Sequence, residues 1–257
     1  MSATPDLHGN DRPLDLTDEA RARADEARER AVEIGQDVRE RARGKAREVK
    51  PRLRGWLHAA TTPLTLAAGI VLICLSPTVA TRVGSAVFAG TALLLFTVSA
   101  IYHRGNWSPR TWAFLRRFDH SNIFLLIAGS YTPFALILLH GTDRVVLLSI
   151  VWGGALLGVV FKLFWTDAPR WLSTPVYVAL GWSAIFYAHQ LSSGGTAVTT
   201  LVVVGGGLYT IGGLVHGLRK PDPFPAWFGF HEIFHSFTIA AFTCHYVAAS
   251  IATYSLR

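Results

Sequence analysis

The chain has 257 residues, 51% of them hydrophobic, and a formal net charge of +7. That average hides a division: residues 1–54 hold 13 of the 24 Lys+Arg and 12 of the 17 Asp+Glu, leaving 11 basic and 5 acidic side chains in the 203 that follow. A soluble domain of that size would be about a quarter charged, so 55–257 reads as a membrane domain and 1–54 as a charged cytoplasmic extension. The basic excess belongs mostly to the membrane domain's loops, which argues against a nucleic-acid partner. Cys74 and Cys244 lie in apolar runs without CxxC spacing and read as small core residues.

In chain order, residues 1–16 are polar, contain proline and glycine, and read as disordered. No apolar h-region occurs before residue 55, so no signal peptide is read there. Ala20, Ala24, Ala27, Ala31, Ile34 and Val38 then recur at spacings of four and three on an Arg- and Glu-covered helix. Alanine buries little, so this reads first as a solvated helix; self-association through residues 20–49 or a membrane-surface role are its alternatives. Seven apolar segments follow, at about 57–76, 83–103, 119–139, 145–165, 172–191, 198–217 and 228–252. Each has about 20 residues or more, enough to cross a hydrocarbon core of roughly 30 Å. Gly154/Gly158 and Gly205–Gly207 favour close helix packing in lipid. Pro133 and Pro175 predict kinks within spans.

Basic residues set the orientation. With the N-terminus inside, the cytoplasmic loops hold Arg104, Arg110, Arg116, Arg117, Arg170, Arg219 and Lys220, with Lys162 near the boundary; the outside has Arg82, Arg144 and Arg257. The expected architecture is an all-α, seven-transmembrane helical bundle in the plasma membrane, with a cytoplasmic N-terminus and a charged N-terminal helical extension.

The chemistry concentrates at 229–245. His231 and His235 are four apart and therefore share a helix face, a spacing that lets two imidazoles hold one metal, usually zinc. From Trp227 to Tyr254 the only charged residue is Glu232, and ionisable groups inside a span mark functional sites by default. With alternating span directions, His231 and His235 open the seventh span at the inner leaflet. His103, with Ser99 one turn before it, closes the second there, and Asp119 begins the third. Three imidazoles with an open fourth position match a catalytic zinc site rather than a structural one. His120, His245, His58, His140, His189, His216 and His8 are left out: His245 lies about 15 Å beyond His235, His8 is in the polar tail, and the others suit packing or span-end positions.

Ser99-Ala-Ile-Tyr-His103, Arg116-Arg-Phe-Asp119-His-Ser-Asn-Ile, Ala128-Gly-Ser-Tyr-Thr-Pro133 and His231-Glu-Ile-Phe-His235 together resemble the haemolysin III family. That family belongs with the progestin and adipoQ receptors and, more distantly, the alkaline ceramidases. The resemblance covers 55–257. It implies seven spans with the N-terminus inside and zinc on His103, His231 and His235. It also implies Asp119 beside the zinc's water and Ser99 nearby. Where family members often carry Glu and Asn before the first span, this chain has Arg54-Gly-Trp-Leu-His58; His58 matches a family histidine.

Two readings follow for function. One is a zinc-dependent hydrolase of lipid amides, with Asp119 moving the proton and Ser99 donating to the oxyanion or orienting His103. The other is a non-catalytic lipid sensor or a membrane-perturbing, cytolytic protein with a structural zinc. HEIFH also satisfies HExxH, in which the glutamate of a metalloprotease is the general base, but no separate third-ligand motif of such a protease is found.

Overall fold

In the computed structural model the described residues are 16–46 and 51–257, and the chain divides into two units, 1–49 and 50–257. In the first, α1 (Leu16–Ala46) is one charged helix, with Arg30 donating to Glu26 one turn away at 2.6 Å. The tail at 1–15 and the side chain of Val38, in the expected alanine stripe, lie outside the described residues.

The second unit is α2 (Trp56–Cys74), α3 (Val79–Arg104), α4 (Pro109–Leu138), α5 (Gly141–Phe164), α6 (Arg170–Gly181), α7 (Ala188–Ser192), α8 (Thr196–Leu218) and α9 (Phe230–Tyr254). Among the described residues there is no named strand, and six helices (α2, α3, α4, α5, α8 and α9) are long and apolar enough to cross a membrane. Their ends follow from local chemistry. Thr78 and Thr81 form a reciprocal capping box at the start of α3, and Ser108 followed by Pro109 opens α4.

The segment expected as one helix over 172–191 is instead interrupted. α6 stops at Gly181, a 3₁₀ turn occupies Ser183–Tyr187, and α7 adds five residues. Backbone groups freed by such a break need partners away from water. Tyr131 supplies them from α4: its hydroxyl donates to the Gly181 carbonyl at 2.5 Å and accepts from the Ala184 N–H at 2.9 Å. The broken segment still connects the two ends of the bundle. Asp167, just before α6, pairs with Arg116 at 2.7 Å near the start of α4, whereas Gln190 of α7 donates to Asp143 at 3.2 Å at the start of α5.

Close packing uses the glycines anticipated for it. Gly158 lies against the ring of Phe124, Gly154 against Leu180, and Gly205 of α8 against the ring of His245 on α9; small residues let backbones approach where lipid supplies no hydrophobic drive. The core joins Phe88, Leu95 and Phe96 of α3, Phe124 and Phe134 of α4, Leu147 and Val151 of α5, and Phe242 of α9. His245 belongs to this packing, its Nε2 3.2 Å from the Val202 carbonyl. It takes no part in the histidine cluster.

Candidate metal centre

α3 ends and α9 begins at the same end of the unit, and this juxtaposition brings His103 to His231 and His235. The donor atoms of the three imidazoles all lie within 4.8 Å of one another. Nε2 of His231 is 3.1 Å from Nε2 of His103, and His103 and His235 are buried. The group could hold a metal ion. Three imidazoles are a donor set suited to borderline-soft divalent ions, and Nδ1 of His235 is buried without a hydrogen-bond partner, which leaves it available to a metal.

Asp119, on the first turns of α4, places Oδ2 3.8 Å from Nε2 of His103 and 3.6 Å from Nδ1 of His120. Ser99, one turn before His103 on α3 and buried, lies beside Asp119. All five residues singled out in the sequence therefore share one neighbourhood. His120 turns to its own helix, with Nδ1 2.8 Å from the Arg116 carbonyl.

Two neighbours were left out on sequence grounds and stand closer than expected. His58 is only 2% exposed, stacks on His235 with ring centroids 3.8 Å apart at 19°, and has neither ring nitrogen hydrogen-bonded. Its place near the start of the first span suggested a comfortable interfacial histidine; instead it lies face to face with a cluster member and fixes that ring's plane. His216 of α8 lies 5.6 Å from the His231 ring and packs on Phe234. The signal for His58 was present in its match to a family histidine, but which face of the first span turns inward is a tertiary fact.

Glu232 has a different task from that of an HExxH base. It is fully buried; Oε1 accepts from Arg54 Nε at 3.0 Å and Oε2 accepts from the Gly229 N–H at 2.9 Å. Both oxygens are thus spent on starting α9 and tying it to the chain before α2. Asp222 adds a second bond at this helix start, accepting from the Phe230 N–H at 2.9 Å. Arg54, just before α2, has this glutamate as its partner. Gly55 follows with φ +81°, and a side chain there would strike Cβ of His103 at 2.8 Å. Glycine lets the chain pass directly against the end of α3.

The fold and cluster define a multi-pass helical membrane protein with a buried three-histidine site at one end. A family model described as haemolysin-III related matches residues 46–246, and the chain belongs to that family. It is 40% identical over 154 residues to the Hemolysin-3 homolog of Bacillus subtilis (strain 168), covering 60% of this chain and 69% of that protein. It is 33% identical over 186 residues to Hemolysin-3 of Bacillus cereus, covering 71% and 82%. An Adiponectin receptor protein of Drosophila melanogaster is 31% identical over 147 residues, covering 51% and 33%. This likeness ties the family to the progestin and adipoQ receptor superfamily.

Proposed function

We propose that His103, His231 and His235 hold one zinc ion and that the protein is a zinc-dependent hydrolase of lipid amides. The observation that carries this is the convergence of three imidazole donors within 4.8 Å, with the Asp119 carboxylate 3.8 Å from one of them. Bound there, zinc would supply Lewis acidity towards a carbonyl and lower the pKa of water towards about 7. Asp119 is the group that takes a proton from the attacking water and returns it to the leaving amine. Ser99, beside Asp119 and one turn from His103, is the neighbour placed to orient that carboxylate or His103 and acts as a positioning residue. The more distant resemblance to alkaline ceramidases supports an N-acyl lipid as substrate.

The proposed topology has seven crossings, the fifth made by the interrupted α6–α7 segment, with the N-terminus and the site at the cytoplasmic face of the plasma membrane. Eight of the eleven basic residues after 54 lie at the histidine end, which supports that orientation. A reporter active only in the cytoplasm, fused after Arg257, should be silent; strong activity would invert the assignment.

The activity is tested by fatty-acid release from a panel of N-acyl lipids, with and without chelator. Chelator-sensitive release is expected. Absence of release from every lipid, in protein carrying about one zinc per chain, leaves the second reading: a sensor or membrane-perturbing protein in which zinc staples α3 to α9. The receptor and haemolysin names of the relatives support that alternative.

A further inference from the structure

Beside the histidine cluster lies an open cleft of about 330 Å³, lined by Pro51, Arg52, Arg54, Trp56, His103 and Arg104. No acidic side chain lines it. Arg104 is held over the indole of Trp56 at 3.8 Å and Arg52 over the indole of Trp227 at 4.4 Å. Among the described residues neither forms an ion pair. Stacking restrains a guanidinium without consuming its N–H edge, so both donors are pre-ordered for a planar or tetrahedral oxyanion. Arg54 contributes differently: Glu232 holds its Nε, and its terminal nitrogens make no hydrogen bond among the described residues.

The cleft's surroundings fix its depth. Six of the eight tryptophans (56, 107, 112, 165, 171 and 227) fall at this end of the helices, and all six are exposed. Tryptophans concentrate at the level of lipid headgroups, where a phosphate is the commonest anion. We propose that this cleft binds the phosphate of an anionic membrane lipid, gripped by Arg52 and Arg104. This stands apart from the zinc reading, because the charge on the arginines does not depend on whether the histidines hold metal.

The test uses the full chain in neutral detergent and phosphate-free buffer, with short-chain phosphatidylglycerol, phosphatidylcholine or inorganic phosphate added and bound lipid counted by native mass spectrometry. Phosphatidylglycerol should bind at least about tenfold more tightly than phosphatidylcholine, as expected for charge-assisted hydrogen bonds. Arg52→Gln/Arg104→Gln should remove that preference. Arg110→Gln/Arg117→Gln, which takes the same charge from the same end, should retain it. Equal loss in both double variants would reduce the effect to a general basic surface and overturn the cleft. Displacement of the lipid by low-millimolar inorganic phosphate would overturn the lipid as ligand in favour of free phosphate. If the double variant elutes as aggregate, Arg104→Gln alone carries the test, and an unchanged preference there refutes the proposal.

Discussion

The two ends of the helical unit treat the same residue types in opposite ways. At the end away from the histidines, every arginine is absorbed by a helix terminus. Arg82 donates to the Ser76 carbonyl at 3.2 Å, Arg144 to Leu139 at 2.8 Å, and Arg257 to Leu75 at 2.6 Å. These carbonyls lie at or just beyond the ends of α2 and α4, where cations meet the negative end of the dipole. Some buried hydroxyls there are satisfied locally, as in the Ser76–Ser85 contact at 3.0 Å and the Thr78/Thr81 box, while those of Ser250 and Thr253 are buried without a hydrogen-bond partner. At the histidine end, arginines stack on tryptophans or clamp a buried glutamate, and His58 and His235 keep buried nitrogens without partners. One end closes the bundle. The other gathers three imidazoles that could hold a metal ion.

The largest effects that could break this contrast concern metal. His231→Ala and His235→Ala should each abolish stoichiometric zinc, measured by mass spectrometry on purified protein, because a two-histidine site holds zinc poorly. His103→Ala should do the same. Full retention in these variants would remove the contrast's main term.

Asp119→Asn comes next. The variant should keep its metal and lose N-acyl lipid hydrolysis by about a hundredfold or more, since an amide cannot take the proton. Metal loss would make Asp119 a ligand, and unchanged hydrolysis would remove it as the base.

Arg54→Ala leaves Glu232 buried and unpaired at the start of α9, which should cost about 3–5 kcal/mol in reversible detergent unfolding. Adding Glu232→Gln should recover part of that loss. Additive destabilisation in the double variant would show that the pair is not the origin of the cost.

The smallest effect belongs to the far end. Thr78→Ala should cost about 1 kcal/mol of stability and leave zinc content unchanged. A change in bound metal there would show that the two ends are coupled through α3.

Much of this was legible in the residues. His231 and His235 had to share a face once their helix was accepted, and alternating span directions brought His103, Ser99 and Asp119 to their level. Gly158 and Gly205 announced close approaches. The interrupted fifth segment was not legible: 172–191 is apolar enough for a continuous helix, and its break is tolerated because Tyr131, some fifty residues earlier, satisfies the freed backbone groups.

The sequence by itself determined the membrane character, the helical class, the bias of basic residues and the three-histidine set, because hydropathy, helical period and chain alternation are local properties. Only the tertiary structure decided that Glu232 caps α9 and pairs with Arg54, 178 residues away, and that His58 lies face to face with His235. Only it brought Arg52 and Arg104 onto tryptophans around one cleft. These are choices of rotation and neighbour, set by which helix faces pack together, and no spacing along the chain encodes them.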